Sequence, residues 1–319
     1  MLNPGETLHH YTIVGPKGNG VYGHVFEAHD SSNSNESLAL KLLTNSLGDN
    51  EARFRAENDH LYTLINEPYV IGPKTRVLDI NGRIIYCMEL ADTNTESFLS
   101  TNTLTTSQTL ILFKKIAQGL KAAHDNGIVH RDLHLGNILL MTSDPQNPLP
   151  KLTDFGMAKD FNGSDMSSIP VQVWGAVGMR PPEIFFMLWD TPDLDKYMLA
   201  DVYALGILLH CLLNTRPTQY ILGLVSSIVD VFTDNNARYN PNTFQIDSTL
   251  DIATKKQCYD EWLNNYSRAN QDNLQIVLSS NNPILEKEIN RIIQKCCAVD
   301  YNDRYRNVDE LIQEVSAVC

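Results

Sequence analysis

A chain of 319 residues is ordinary for an enzyme of two parts and large for a single core. With 43% hydrophobic and 20% charged residues it can bury a sizeable core, which excludes wholesale disorder. Its 25 Lys and Arg against 38 Asp and Glu give a formal charge of −13. That balance argues against a nucleic-acid-binding surface, which needs concentrated cations.

The first ~90 residues read mainly as strands. Tyr11–Val14, Gly23–Ala28, Leu38–Leu43, Thr75–Ile80 and Arg83–Leu90 are short and rich in β-branched or aromatic residues. Asn81-Gly82 between the last two is a strong hairpin signal. One helix interrupts the strands over Glu51–Ile65, with Phe54, Leu61, Leu64 and Ile65 on one face. From about Thr106 the pattern turns helical. Ser107–Asn126 ends before Gly127, a C′ residue, and Ala200–Leu213, Leu285–Ala298 and Asp309–Val318 follow. The polar stretch Asp92–Thr105 reads as the seam between a sheet-rich and a helical lobe, and ligands favour such clefts.

Met1–Glu6 lacks a charged region followed by an apolar run, so no secretion signal is expected. The longest apolar stretch, Val202–Leu213, is short for a bilayer span and contains His210. Six cysteines form no C-x-x-C pair and no metal-ligand spacing with histidine. The expectation is a cytoplasmic protein with reduced thiols and no membrane attachment. Delivery into another cell stays open.

The first chemical motif is Gly18-x-Gly20-x-x-Gly23-x-Val25. Glycines let a backbone approach a polyphosphate and present N–H groups to it. The motif lies between two strands rather than between a strand and a helix, which disfavours a dinucleotide fingerprint and suits a flap over ATP. Lys41 follows on the next strand, flanked by apolar residues. A carboxylate on the following helix could hold it against the α- and β-phosphates. Glu51, Glu57 and Asp59 all qualify, and Glu57 is preferred because it lies beside the apolar stripe.

The strongest local signal runs from His130 to Leu140. Asp132 can accept a proton from an attacking hydroxyl, and Asn137, five positions on, can ligate a metal. Leu152-Thr153-Asp154-Phe155-Gly156 follows, and Asp154 can chelate Mg²⁺ bridging a nucleotide's phosphates.

With these motifs in this order, the chain resembles the eukaryotic-type protein kinase family, from about Tyr11 to Leu311. The resemblance implies an α+β, bilobal kinase fold: a five-stranded antiparallel N-lobe with one helix, and a larger helical C-lobe. It implies one domain over 1–319, with the N-lobe at 1–91 and the C-lobe at 92–319. It also implies that Lys41 pairs with Glu57, that Asp132 is catalytic, and that Asn137 and Asp154 hold Mg²⁺, with Mn²⁺ as a substitute. Met88 would be the gatekeeper, Glu89–Ala91 the hinge whose backbone meets adenine, and Val25, Ala39 and Leu139 the apolar sandwich for its ring. Three later features look like protein-kinase landmarks. Pro181-Pro182-Glu183 resembles A-P-E, Asp201-x-x-x-x-Gly206 resembles the helix that anchors the catalytic loop, and Arg304 resembles the arginine that clamps the A-P-E glutamate.

Two positions depart from the family pattern. His134 stands where a lysine usually neutralises the transferring phosphoryl group, and histidine does so only when protonated. Ala176, after Gly175, stands where a threonine usually bonds the catalytic Asp and Lys. Arg131 suggests control by a phosphate in the segment Lys159–Val173, with Ser164, Ser167 and Ser168 as candidates, although a merely polar loop reads equally well. The stretch from Gln219 to Asn282 is long for the family. Its Tyr239, Tyr259, Trp262 and Tyr266 fit either a partner surface or packing. The resulting expectation is a Ser/Thr protein kinase that uses Mg-ATP, acts on protein substrates and phosphorylates itself. A small-molecule hydroxyl kinase and a nucleotide-binding pseudokinase or scaffold remain as alternatives.

Overall fold

A six-stranded antiparallel sheet organises the N-terminal part of the chain. A computed structural model describes residues 2–20, 23–34, 36–47, 49–160, 176–188, 193–213, 218–242, 244–266, 274, 276–278 and 282–319. The serines at 164, 167 and 168 and Gly175 lie outside these residues. The chain packs as two units, Met1–Asn102 with Gly136–Ala158, and Thr103–Leu135 with Lys159–Cys319.

The strands of this sheet, in the first unit, are β1 (Thr7–Leu8), β2 (Tyr11–Asn19), β3 (Gly23–Asp30), β4 (Glu36–Leu43), β5 (Leu78–Ile80) and β6 (Arg83–Met88), in the order β1-β2-β3-β4-β6-β5. The sheet therefore has six strands, not the expected five. Gly5 at φ 82° and His9 at φ 57° turn the chain so that Leu8 is buried and β1 pairs with β2. Leu8, Tyr11, Ile13, Phe26, Ala28, Leu40 and Ile85 pack into one apolar core. The β5–β6 hairpin turns on Asn81 and Gly82, both at positive φ, as the dipeptide requires.

Helix α1 (Asn50–Thr63) buries Phe54, Glu57, Asn58 and Leu61, a stripe at helical spacing that carries one carboxylate. Ile65, expected on that stripe, lies beyond the helix and is exposed. After β7 (Thr93–Asn94) comes α2 (Thr95–Thr101), capped by the Asn94 side chain on Ser97 N–H. The chain leaves for the second unit through α3 (Thr106–Asp125) and β8 (Ile128–Val129). It returns in β9 (Ile138–Met141) and β10 (Leu149–Leu152), which join β7 in a three-stranded sheet.

The second unit is largely helical. A Thr105–Gln108 capping box starts α3, and Gly127 at φ 72° follows its end. The later elements are β11 (Lys159–Asp160), α4 (Pro182–Phe185), α5 (Leu194–Leu213), α6 (Thr218–Asp234), β12 (Tyr239–Asn240), β13 (Gln245–Ile246), α7 (Ile252–Tyr266), α8 (Pro283–Cys296) and α9 (Val308–Ser316). Helix α5 begins earlier than the sequence suggested. Its length and composition would let it cross a membrane, but 72% of its most apolar window is buried, as in a core helix. A Cβ on Gly206 would lie 2.5 Å from Cys296 Cβ and 2.6 Å from Cys297 Sγ, so this glycine sets how closely α5 and α8 pack.

Of the four aromatic residues singled out in the long 219–282 segment, Tyr259 and Trp262 point inward, and the side chain of Tyr266 lies outside the described residues. Trp262 and Tyr259 are buried with Phe186 and Phe232, at ring separations of 5.1 to 5.7 Å. Trp262 Nε1–H donates to Ser227 Oγ, and the Tyr259 hydroxyl donates to Val299 O. These two residues are core, so they give no support to a partner surface.

Candidate active site

In the first unit, strand pairing and α1 bring three charged residues together. Lys41 on β4 is 4% exposed, and its Nζ donates to both Glu57 oxygens at 2.6 and 2.7 Å. Asp154 Oδ1 lies 3.6 Å from the same nitrogen. Burial alone would lower the Lys41 pKa, but the Glu57 and Asp154 carboxylates outweigh it and hold the ammonium above its ordinary value. Glu51 is therefore not the partner; it pairs with Arg55 within the helix. Asp59 faces Arg76.

The glycines of the β2–β3 turn differ in what they allow. Gly20 N–H donates to Gly23 O, and a Cβ on Gly20 would lie 3.9 Å from Asp154 Oδ2. A Cβ on Gly23 would meet Leu42 O at 2.9 Å and Lys41 Cγ at 3.2 Å. Gly18 has open space around it.

Asp154 adopts a left-handed conformation at φ 62°, which costs a non-glycine residue about 1 kcal/mol or more. Its carboxylate is a quarter exposed. The β9–β10 register places Asn137 beside Thr153, whose N–H donates to Asn137 O at 3.1 Å. Val25 pairs with Lys41, and Ala39 pairs with Met88. Leu139 sits on β9 opposite Lys151.

Glu89, which precedes Leu90 and Ala91, is fixed from two sides. Its N–H donates to Gly72 O at 2.8 Å, and its Oε2 accepts from Gly72 N–H and Lys151 Nζ, each at 2.9 Å. Burial would raise its pKa, but Lys151 and the Gly72 amide hold it below the usual carboxylate range. The sequence reading missed Gly72 and Lys151, because only the folded register brings them to Glu89.

In the second unit, Asp201 organises the segment that carries Asp132. It is 1% exposed and accepts from His130 N–H at 2.8 Å, Arg131 N–H at 2.9 Å and His124 Nε2 at 2.9 Å. Burial would raise its pKa, but these donors, His124 foremost, hold it below the usual range. Arg131 is left-handed at φ 64°, a conformation the two amide bonds to Asp201 help to fix. Asp132 N–H donates to His130 Nδ1 at 3.3 Å, and His134 Nε2 lies 3.9 Å from Asp132 Oδ2. Arg180, also missed in the sequence, is buried with its cation 5.1 Å from the centre of the Phe185 ring. Burial pushes its pKa down to about 10, and the Asp132 charge opposes that shift. Arg304 forks onto Glu183 at 2.6 and 2.8 Å and donates to Ala298 O and Leu199 O. The structure thus gathers Lys41, Glu57, Asn137 and Asp154 in the first unit, and Arg131, Asp132 and His134 in the second.

Residues 11–315 match the protein kinase domain family. The chain is 32% identical to the serine/threonine-protein kinase PknD of Mycobacterium tuberculosis over 213 residues, which is 65% of this chain and 30% of that protein. It is 27% identical to the meiosis-specific serine/threonine-protein kinase MEK1 of Saccharomyces cerevisiae over 285 residues, 77% of this chain and 56% of that protein. It is 23% identical over 311 residues to a probable serine/threonine-protein kinase PknB of Lactococcus lactis, 96% of this chain and 41% of that protein. The chain thus spans between 30% and 56% of the lengths of these relatives. The family match, with the ion pairs and motif geometry on both units, makes this chain a member of the protein kinase family.

Proposed function

We propose that the chain transfers the γ-phosphoryl group of ATP to serine or threonine hydroxyls of proteins, itself included. The observation that carries this reading is Lys41 held by both oxygens of Glu57 with Asp154 beside it. A buried ammonium fixed in this way can grip a nucleotide's phosphates at a defined place. Gly20 and Gly23 keep side chains away from the space above Lys41 and Asp154. Met88, Val25, Ala39 and Leu139 supply apolar surface for adenine, and Glu89–Ala91 supply backbone polar groups.

Mg²⁺ fits the residues present. Among the described residues no group of three or more His, Cys, Asp or Glu forms a metal cage. Mg²⁺ in nucleotide enzymes is commonly held by one or two protein oxygens together with substrate phosphates. Asp154, left-handed and partly exposed, and Asn137, whose backbone oxygen accepts from Thr153 N–H, would supply that donor set. When bound, the ion neutralises charge on the phosphates. Asp132 accepts the proton of the attacking hydroxyl. His134, near its carboxylate, contributes positive charge when protonated. The relatives named above are serine/threonine kinases by name, which supports these acceptors.

The test is incubation of the full chain with γ-labelled ATP, Mg²⁺ or Mn²⁺, and a mixed protein substrate, beside Asp132→Ala and Lys41→Met. Label in phosphoserine or phosphothreonine from the wild type alone supports the reading. Label only in a small molecule, or wild type matching Asp132→Ala under both metals, overturns it.

A further inference from the structure

We propose that Tyr86 is a positioning residue for the Lys41–Glu57 pair, its hydroxyl donating to the Glu57 carboxylate so that Lys41 stays aimed at the nucleotide's phosphates. The inference rests on the reading above that Lys41 grips ATP.

Tyr86 on β6 stands directly opposite Lys41 on β4, so the two side chains share one face of the sheet. It is fully buried, and its ring packs on Phe54 of α1 with centres 4.9 Å apart. Phe54 lies about one helical turn before Glu57, so this contact sets the height of α1 over the sheet. The Tyr86 hydroxyl is buried, and the Glu57 carboxylate is its neighbour. Burial, and after it the Glu57 charge, push its ionisation far above the usual phenol range. The group is therefore a neutral donor with no other assigned partner.

Phenylalanine would fill the same space without exposing a polar atom to the core. A buried hydroxyl left unsatisfied is destabilising, so its presence needs a use. The Lys41 arrangement provides one. In the structure both Glu57 oxygens are occupied by Lys41. When Lys41 shares its protons with a phosphate, a Glu57 oxygen is released. The Tyr86 hydroxyl then closes onto that oxygen, and the carboxylate neither swings away nor remains unpaired. The ionisable groups facing Glu57 are Lys41 from β4, Tyr86 from β6 and Asp154.

The test is calorimetric titration of the full chain, wild type and Tyr86→Phe, with Mg-ATP and with adenosine. Loss of one hydrogen bond that reaches ATP only through the position of Lys41 is expected to weaken ATP by roughly threefold to tenfold. Adenosine, which has no phosphate for Lys41, is expected to bind unchanged. In a Glu57→Gln background the effect of Tyr86→Phe on ATP is expected to shrink, because the two residues act through one contact. Lys41→Met serves as the control: if it leaves ATP affinity unchanged, the Lys41 reading itself fails. If Lys41→Met weakens ATP while Tyr86→Phe does not, or weakens ATP and adenosine alike, the role proposed for Tyr86 is overturned.

Discussion

Arg304 grips Glu183 with two guanidinium nitrogens at 2.6 and 2.8 Å, and neither side chain has any exposed surface. The pair joins the start of α4 to the turn before α9, residues 121 apart in sequence. Removing one partner leaves the other as a buried, uncompensated charge. Arg304→Met is therefore expected to destabilise the second unit by about 3–5 kcal/mol. Glu183→Leu combined with Arg304→Met should cost less than the two single losses added together. Urea unfolding of the three variants measures both quantities.

Asp201 gives the second unit an acid-sensitive anchor. Its folded pKa lies below the ordinary carboxylate value despite burial. The unfolded chain therefore binds the proton more readily. The stability Asp201 contributes is present above its unfolded pKa, about 4, and is lost as pH falls through the folded value. Asp201→Asn is expected to lower the melting temperature at pH 7 and to flatten the loss of stability below about pH 4. Thermal melts from pH 7 to pH 3 check both effects.

Gly206 reverses the usual helix rule. In an exposed helix interior, glycine to alanine gains about 1 kcal/mol. Here the added methyl would lie 2.5 Å from Cys296 Cβ and 3.3 Å from Ile293 O. Gly206→Ala is expected to destabilise by about 1–3 kcal/mol through overpacking. A stability equal to or above wild type would mean that α5 and α8 separate without cost.

The three glycines of the β2–β3 turn should separate by their surroundings. Gly23→Ala forces a methyl against Leu42 O and the Lys41 stem, and is expected to weaken both stability and ATP binding. Gly18→Ala has open space and should leave the melting temperature within about 1 kcal/mol equivalent of wild type. Melting curves with and without ATP separate the two positions.

Lys151 holds Glu89 beside Gly72, next to the proposed adenine contact. Lys151→Met should raise KM for ATP several-fold while leaving kcat nearly unchanged, the pattern of lost uniform binding. Lys151→Arg, which keeps the charge, should recover most of the difference.

Local signals read well wherever the physics is local. Asn81 and Gly82 dictate a two-residue hairpin through their positive φ, and Glu57 lies on a stripe set by helical spacing. Short elements escaped the pattern. The two residues of β1 are too few to show alternation, and α2 shows mainly polar residues, with its start marked by Asn94. Pairings fixed by register escaped too. Tyr86 meets Lys41, Lys151 meets Glu89, and β9 and β10 return to the first unit only through contacts distant in sequence. The aromatic residues at 259 and 262 left two readings open for another reason. Composition alone does not tell an interface aromatic from a core one, and burial places both in the core.

The burial of Trp262 has a practical optical consequence. All three tryptophans fall after residue 159, so none belongs to the first unit. Trp262, buried in the second unit, thus reports on that unit through intrinsic emission. A melt followed by fluorescence beside one followed by far-ultraviolet dichroism would report whether the two units come apart in one cooperative step or in succession.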